Sequence, residues 1–180
     1  MTTYVILLRG VTPSGKNKLP MARFREVLET AGFARVRTYI QSGNAVADTG
    51  LPAREVEKKI HGLIRDHIGP DLDVIVRTGD QLEEALEENP FKEGYDISRL
   101  FFVSFAEPPP VHKIRDLLSQ DYSPEKLAFG TNTAYLYIPG AYGKGVLSGT
   151  FLEKKLGVRA TMRNFNTLNR LVAMSREGSS

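Results

Sequence analysis

The sequence has no cysteine and only three histidines, and these scarcities exclude several kinds of chemistry. Without cysteine the chain forms no disulfide and offers no thiolate, which fits a reducing compartment. None of His61, His67 and His112 has metal-ligand spacing to another, since His61 and His67 lie six residues apart and off a common helix face. We therefore predict surface histidines, no metal site and no cofactor.

Long apolar segments are also missing. The opening stretch MTTYVILLRG has no basic residue before its apolar run, and that run is too short for a signal-peptide core or a membrane span. With 41% apolar and 25% charged residues, the 180-residue chain has the composition of a globular protein with one large or two small domains. The expectation is a soluble, cytoplasmic protein without a membrane partner.

Charge is distributed unevenly, although the net charge is only +3. Residues 1–40 contain seven Lys or Arg and two Glu, residues 41–100 contain seven basic and thirteen acidic residues, and residues 101–180 contain ten basic and six acidic residues. This segregation predicts basic surface near both ends of the chain and an acidic middle. Solvated helix faces are the simpler explanation for the same pattern.

The first half of the chain follows the pattern of a ferredoxin-like unit. Alternation of apolar residues, helical periodicity and terminal Gly or Pro residues predict its elements. These are a strand at 4–8, a helix from Pro20 to Gly32, strands at 36–40 and 45–47 around a QSGN turn, a helix from Pro52 to Gly69 and a strand at 74–76. The order β-α-β-β-α-β predicts a four-stranded antiparallel sheet with both helices on one face.

The second half repeats this order after a linking helix, whose start is predicted at a capping box of Asp80 and Glu83. Its elements are a strand at 100–105, a helix from Pro108 through Leu118, a hairpin at 127–138, a helix at 150–156 and a strand at 159–162; a last helix at 167–174, capped by Asn164 or Asn166, closes the fold. We therefore predict an α+β fold with two ferredoxin-like (βαββαβ) subdomains in tandem. They occupy residues 1–79 and 99–163, with a linking helix and loop at 80–98 and a C-terminal helix and tail at 164–180.

The segment GVTPSGK has the G-x-x-x-x-G-K spacing of a phosphate-binding P-loop. However, Asn17 replaces the Ser or Thr that holds magnesium, and Pro20 delays the helix by about four residues after Lys16. No apolar strand ends in the Asp of a Walker B motif. We predict no magnesium-dependent nucleotide hydrolase. Arg9, Lys16 and Lys18 either hold an anion without metal or simply keep a surface loop soluble.

Topology is expected to bring a second segment to this loop. In a ferredoxin-like sheet the first two strands are parallel, so the loop after the first and the hairpin after the second emerge at the same edge. The Gln41 and Asn44 amides and the Ser42 hydroxyl would then suit an oxyanion or a nucleobase edge. The simpler explanation of QSGN is a turn with left-handed backbone at Gly43 and Asn44. Ser42 lacks the leading Gly of G-x-S-x-G, so no hydrolase triad is predicted.

Aromatic residues on the strands of the second half suggest an alternative, because RNA-recognition modules stack bases on a similar sheet. Alternation places Phe101 and Phe105 on one face and Phe102 on the other, and the hairpin adds Tyr135 and Tyr137. The RNP1 pattern of those modules is absent. We therefore predict that these rings pack in a core.

Several strings in the sequence resemble one known family. They are LLRG, GKNKLPM, VRTYIQSGN, ENPF at Glu88 to Phe91, LEKKLGV at Leu152 to Val158 and RNFNT at Arg163 to Thr167. Between Tyr4 and about Leu171 the chain resembles the bacterial family called domain of unknown function family 1697. The resemblance implies an α+β fold with two ferredoxin-like subdomains, and it implies no established activity, substrate or catalytic residue.

The chain departs from this family's pattern at a few positions. Members usually carry an Asn at the position of Thr12 and a Gly-Gly at Ser14 and Gly15. They carry a Lys-Leu pair at Val146-Leu147, an Asn at Gly149, and RNWNT in place of RNFNT. If those Asn and Lys side chains bind a ligand in relatives, binding by this chain is altered.

The candidate site has nine residues: Arg9, Lys16, Asn17, Lys18, Gln41, Ser42, Asn44, Arg163 and Asn164. Arg163 is included on the hypothesis that it reaches the loop of Lys16 and Lys18. Three functions stay open: binding of an anionic ligand, either nucleic acid or a phosphorylated small molecule; a metal-free enzyme on a small anionic substrate at the same edge; and a protein-assembly module without a small ligand. The sequence predicts neither catalytic residues nor an oligomeric state.

Overall fold

The computed structural model describes residues 1–178, and these form two compact units. The first contains Met1–Leu82 together with the chain from Arg170 onward, and the second contains Glu83–Asn169. Each unit has one four-stranded antiparallel sheet with helices. The predicted α+β class with tandem βαββαβ units and a C-terminal helix is therefore confirmed. The last two residues of the predicted tail lie outside the described residues.

The first unit is built around its first strand. Its elements are β1 (Thr2–Arg9), α1 (Met21–Thr30), β2 (Ala34–Tyr39), β3 (Asn44–Thr49), α2 (Ala53–His67) and β4 (Asp73–Thr78). The strand order is β2-β3-β1-β4, so β1 pairs with both β3 and β4. Alternate residues of β1, including Ile6 and Leu8, join the core that contains Phe24 of α1 and Ile60 of α2. This packing holds β1 in place and so determines where the loop after β1 leaves the sheet.

Both helices of the first unit start after a proline. Pro20 and Pro52 are the N-cap residues and not the first helical residues, because both have extended backbone with ψ of 116° and 157°. Each helix therefore starts one residue later than predicted. Gly32, at φ 95°, has the left-handed conformation predicted for the end of α1. Leu19, 2% exposed, anchors the chain just before α1.

The helix that follows β4, α3 (Gly79–Glu87), is capped by other residues than predicted. The Gln81 amide N–H donates to the Thr78 hydroxyl at 3.2 Å, and the Thr78 N–H donates to the Gln81 side-chain oxygen at 2.9 Å. This is a reciprocal capping box two residues earlier than the predicted pair of Asp80 and Glu83. That prediction was wrong because Asp80 already lies inside the first turn of α3. A carboxylate at this position interacts favourably with the helix dipole but does not cap the helix.

The second unit repeats the arrangement. After a short 3-10 turn, Ile97–Arg99, it contains β5 (Leu100–Phe105), α4 (Val111–Leu118), β6 (Lys126–Phe129), β7 (Thr133–Tyr137), α5 (Gly149–Leu156) and β8 (Ala160–Asn164). The strand order β6-β7-β5-β8 is the same as in the first unit. The chain then continues into α6 (Phe165–Arg176).

The aromatic residues of β5 alternate between two faces as predicted. Phe101 and Phe105 pack in the core beneath α4 and α5. Phe102 points the other way and packs edge-to-face on Tyr135 of β7, with ring centroids 5.5 Å apart. Phe102 and Tyr135 are at most 1% exposed, so these two rings are core residues and not an open platform for bases.

A structural repeat joins the last strand of each sheet to the helix that follows it. Arg77 on β4 and Arg163 on β8 each donate a guanidinium hydrogen bond to the carbonyl of the preceding residue, at 2.8 Å and 2.9 Å. Thr78 then caps α3, and Asn164 caps α6 by accepting the Thr167 N–H at 2.9 Å. Asn164 was one of the two predicted caps. The order βαββαβα therefore occurs twice along the chain.

Within residues 1–178, no helix combines the length and the apolar character that crossing a membrane requires.

Candidate functional site

The loop after β1 and the hairpin between β2 and β3 are in direct contact. The Leu8 N–H donates to the Gly43 carbonyl at 2.9 Å. A Cβ added to Gly43 would lie 2.7 Å from Val11 Cγ2 and 2.9 Å from Leu8 Cβ, so the loop packs against the glycine itself. The neighbourhood predicted from the ferredoxin-like topology is therefore confirmed. We call these two segments, residues 9–18 and 41–44, the loop–hairpin surface.

The loop in this surface is closed by its own hydrogen bonds. The Thr12 N–H donates to the Asn17 carbonyl at 3.1 Å, and the Lys18 N–H donates to the Gly15 carbonyl at 3.2 Å. The Thr12 hydroxyl donates to the Ser14 carbonyl at 2.8 Å. A P-loop instead directs its backbone N–H groups at phosphate. Here two of these groups bind carbonyls of the same loop, in agreement with the predicted failure of the P-loop motif.

Lys16 and Lys18 project from this closed loop into solvent. Neither ammonium group has an ion-pair partner within residues 1–178. Three residues after Lys18, α1 begins without a side-chain cap and without an acidic residue in its first turn. Its N-terminal N–H groups therefore add positive potential beside the two lysines.

Arg9 and Asn17 are less available than these lysines. Arg9 is half-buried at the end of β1 and lies opposite Asp73 of β4 in the antiparallel register. Asn17 is also half-buried, and its carbonyl accepts the Thr12 N–H. Their predicted contact with a ligand stays a prediction.

On the hairpin, Asn44 holds the turn together. Its side chain is fully buried, and its amide nitrogen donates to the Tyr39 carbonyl at 3.1 Å and to the Ser42 hydroxyl at 2.9 Å. The left-handed residues of the turn are Ile40, at φ 48°, and Gly43, at φ 88°, so the prediction for Asn44 was wrong. Asn44 starts β3 with extended backbone because its amide closes the turn from that position. Gln41 and Ser42 are exposed beside it.

Arg163 and Asn164 belong to the second unit. The Arg163 guanidinium is buried and donates to the Thr161 hydroxyl at 2.6 Å and to the Met162 carbonyl at 2.9 Å. Burial lowers the pKa of Arg163 to about 10. The Asn164 side-chain oxygen caps α6. The structure thus gives both residues a place in their own unit, and their predicted contact with a ligand stays a prediction.

Comparison with known proteins places the chain in a family. Residues 1–135, which include the whole loop–hairpin surface, match the family described as a protein of unknown function, DUF1697. The chain belongs to this DUF1697 family. The family resemblance inferred from the sequence is therefore confirmed, and it brings no established activity with it.

A solved structure shows the same fold as this DUF1697 member. The conserved bacterial protein SP0830 from Streptococcus pneumoniae is similar over 97% of this chain and 98% of its own, with a TM-score of 0.72 and 23% sequence identity. At this identity the similarity extends to the fold alone. No curated protein has a detectably similar sequence.

The DUF1697 chain also has a cleft in its second unit that sequence reasoning missed. It lies between α4, α5 and the segment 119–123, and its volume is about 610 Å³. Its lining combines lysines, aspartates and two aromatic rings that come from positions between 113 and 155. The only signal in the sequence was the pair of short helices that each carry a lysine, and no spacing rule relates residues of two separate helices.

Proposed function

We propose that the loop–hairpin surface binds the phosphate groups of an extended anion, with single-stranded nucleic acid as the ligand class. The observation that carries this proposal is the pair of exposed lysines, Lys16 and Lys18, which lack acidic partners within residues 1–178 and project from an internally hydrogen-bonded loop. An ammonium group without an internal partner keeps its full charge for a ligand. Release of counterions from the nucleic acid then provides affinity without a deep pocket.

Exposure favours an extended anion over a small phosphorylated molecule. Lys16, Lys18, Gln41 and Ser42 are all exposed, whereas sites for small molecules enclose most of the ligand surface. An extended chain of phosphates needs only a surface that lies along its backbone. Gln41 and Ser42 supply an amide and a hydroxyl for polar contacts with sugar or base edges.

The rigid parts of the surface support this role. Asn44 closes the hairpin, and Val11 packs on Gly43, so the two segments hold a fixed geometry when no ligand is bound. A fixed surface loses little conformational entropy when it binds. The uncapped N-terminus of α1 provides further N–H donors next to Lys18 for a phosphate.

Fluorescence anisotropy with a labelled single-stranded oligonucleotide of about 20 nucleotides tests the proposal, because this length exceeds typical single-strand site sizes. We expect the logarithm of the binding constant to fall linearly with the logarithm of the salt concentration. Combining Lys16→Ala with Lys18→Ala should weaken binding and reduce the slope by about 1.4, since each phosphate contact on a single strand contributes roughly 0.7.

Arg54→Ala with Lys58→Ala is the matched control, because it removes the same charge from exposed positions on α2 in the same unit. The control should leave the slope unchanged. Equal slopes for both double variants would refute the assignment of this surface. Stabilisation by mononucleotides that does not depend on salt would instead assign the surface to a small phosphorylated ligand.

A further inference from the structure

The cleft of the second unit has a rigid aromatic floor. The rings of Tyr122 and Phe151 pack edge-to-face, with centroids 6.2 Å apart and an interplanar angle of 77°. The Tyr122 hydroxyl donates to the Leu117 carbonyl at 2.7 Å, and this hydrogen bond fixes the position of the ring. Both rings are only half-buried, and Val146, 55% exposed, adds an apolar side chain to the lining. Such a floor offers apolar ring faces and edges against which a ring-shaped ligand can pack.

Two lysines line the same cleft, and they come from different helices. Lys113 lies on α4 and Lys155 lies on the last turn of α5. The Lys155 ammonium is 5.9 Å from the centroid of the Phe151 ring. The Lys113 ammonium is 3.4 Å from the position that a Cβ on Gly157 would take, beside the C-terminal end of α5, where the helix dipole favours a cation. Within residues 1–178 neither lysine has an ion-pair partner.

The acidic residues of the cleft limit how much negative charge a ligand can carry. Asp121 accepts hydrogen bonds from the Ser123 N–H at 2.9 Å and from the Ser123 hydroxyl at 2.6 Å, so it is engaged within its own turn. Asp116 is exposed on α4, three residues after Lys113. These carboxylates would repel a polyphosphate, whereas a singly charged anion can lie nearer to the lysines.

We propose that this cleft binds a small aromatic carboxylate, with its ring on the floor of Tyr122 and Phe151 and its carboxylate held by Lys113 and Lys155. The volume of about 610 Å³ accommodates a molecule of one or two fused rings. All of these residues belong to the second unit, so the inference does not rest on the proposed function of the first.

Titration of the full-length, ¹⁵N-labelled chain with 2-naphthoate, followed by amide NMR, tests the proposal. Two further probes separate its parts: 2-naphthalenemethanol has the same ring without the charge, and acetate has the charge without the ring. We expect saturable shifts of the amides around Lys113, Tyr122 and Phe151 with 2-naphthoate. 2-Naphthalenemethanol should bind about tenfold or more weakly, because a hydrogen bond to a charged group is worth about a factor of ten. Acetate should also bind about tenfold or more weakly, because it buries no ring surface.

Variants of the charged residues sharpen this test. Lys113→Gln with Lys155→Gln should weaken 2-naphthoate binding about tenfold or more. The matched control, Lys144→Gln with Lys154→Gln, removes the same charge from exposed positions that do not line the cleft and should have no effect. Asp116→Asn should strengthen binding by about two- to fivefold, because it removes a repulsive carboxylate.

The amide spectrum of each variant shows whether it is folded, and Asp116→Asn tests the electrostatic claim by a gain of binding. Three results would overturn the proposal: no saturable shift at the cleft, equal binding of the alcohol and the carboxylate, or equal weakening by the control pair.

Discussion

Replacement of Asn44 by alanine separates the architecture of the hairpin from its binding surface. The Asn44 amide nitrogen donates to the Tyr39 carbonyl and to the Ser42 hydroxyl, and the residue is 0% exposed. Each intramolecular hydrogen bond contributes about 1 kcal/mol net, and a buried partner left unsatisfied costs about 1 to 3 kcal/mol. We therefore expect Asn44→Ala to lower the free energy of unfolding by about 2 to 4 kcal/mol.

Urea unfolding followed by far-UV circular dichroism measures this loss. Gln41→Ala is the matched control, because Gln41 is an exposed amide in the same turn and its removal should change stability by less than about 0.5 kcal/mol. In the oligonucleotide assay Gln41→Ala should weaken binding more than Asn44→Ala, because the exposed Gln41 side chain belongs to the proposed contact surface and the buried Asn44 side chain does not contact the ligand. A loss below about 0.5 kcal/mol for Asn44→Ala would refute the structural role of this amide.

Two further predictions concern the same unit and are measured by urea unfolding: one compares two glycine variants, and the other concerns Asp48. Gly43→Ala and Gly10→Ala both place a side chain at a left-handed position, which costs about 1 to 2 kcal/mol, but only at Gly43 does the new Cβ meet Val11, at 2.7 Å. The Gly43 variant should therefore lose about 1 to 3 kcal/mol more, and equal losses would show that loop and hairpin are not packed. Burial on its own would raise the pKa of Asp48. Hydrogen bonds to its carboxylate, of which the one from Arg35 has the largest effect, outweigh burial and lower the pKa of Asp48 below its ordinary 3.8. The stabilisation is therefore complete above about pH 5 and is lost as the pH falls through the lowered pKa, so the deficit of Asp48→Asn should be constant near pH 7 and shrink below about pH 4. A deficit that stays the same down to pH 2 would contradict this assignment.

Local patterns predicted the strands and helices well, because periodicity and terminal residues act within a few positions. The order of elements and the left-handed Gly32 follow from such patterns. The contact between the loop and the hairpin is long-range, yet it was predictable because the ferredoxin-like topology requires it. The P-loop was excluded correctly from Asn17 and Pro20, which act locally.

The failures concern choices between similar neighbours. Thr78 and Asp80 are both residue types that cap helices well. Thr78 is the cap because β4 ends at this residue and α3 starts directly after it. Left-handed backbone was predicted at Asn44, but the exposed Ile40 takes it because the buried Asn44 amide must reach back to the Tyr39 carbonyl. The choice between neighbouring residues in these two cases depends on side-chain contacts, which residue propensities do not include.

The cleft of the second unit was beyond sequence reasoning for a different reason. Lys113 and Lys155 are separated by a hairpin and a loop, and they share the cleft only because α4 and α5 lie on the same face of one sheet. The topology predicts that the two helices are neighbours. It does not predict which of their side chains line the cleft.

The composition of the first unit has a consequence for the order in which the protein forms. This unit takes in both the start of the chain and the segment from Arg170 onward, and the Arg37 guanidinium donates to the Met174 carbonyl at 2.6 Å. During synthesis these last residues leave the ribosome only after the whole second unit has been made, so the contiguous second unit can complete its fold first. The first unit can therefore be completed only after the second unit has been synthesised, when the segment from Arg170 packs on it.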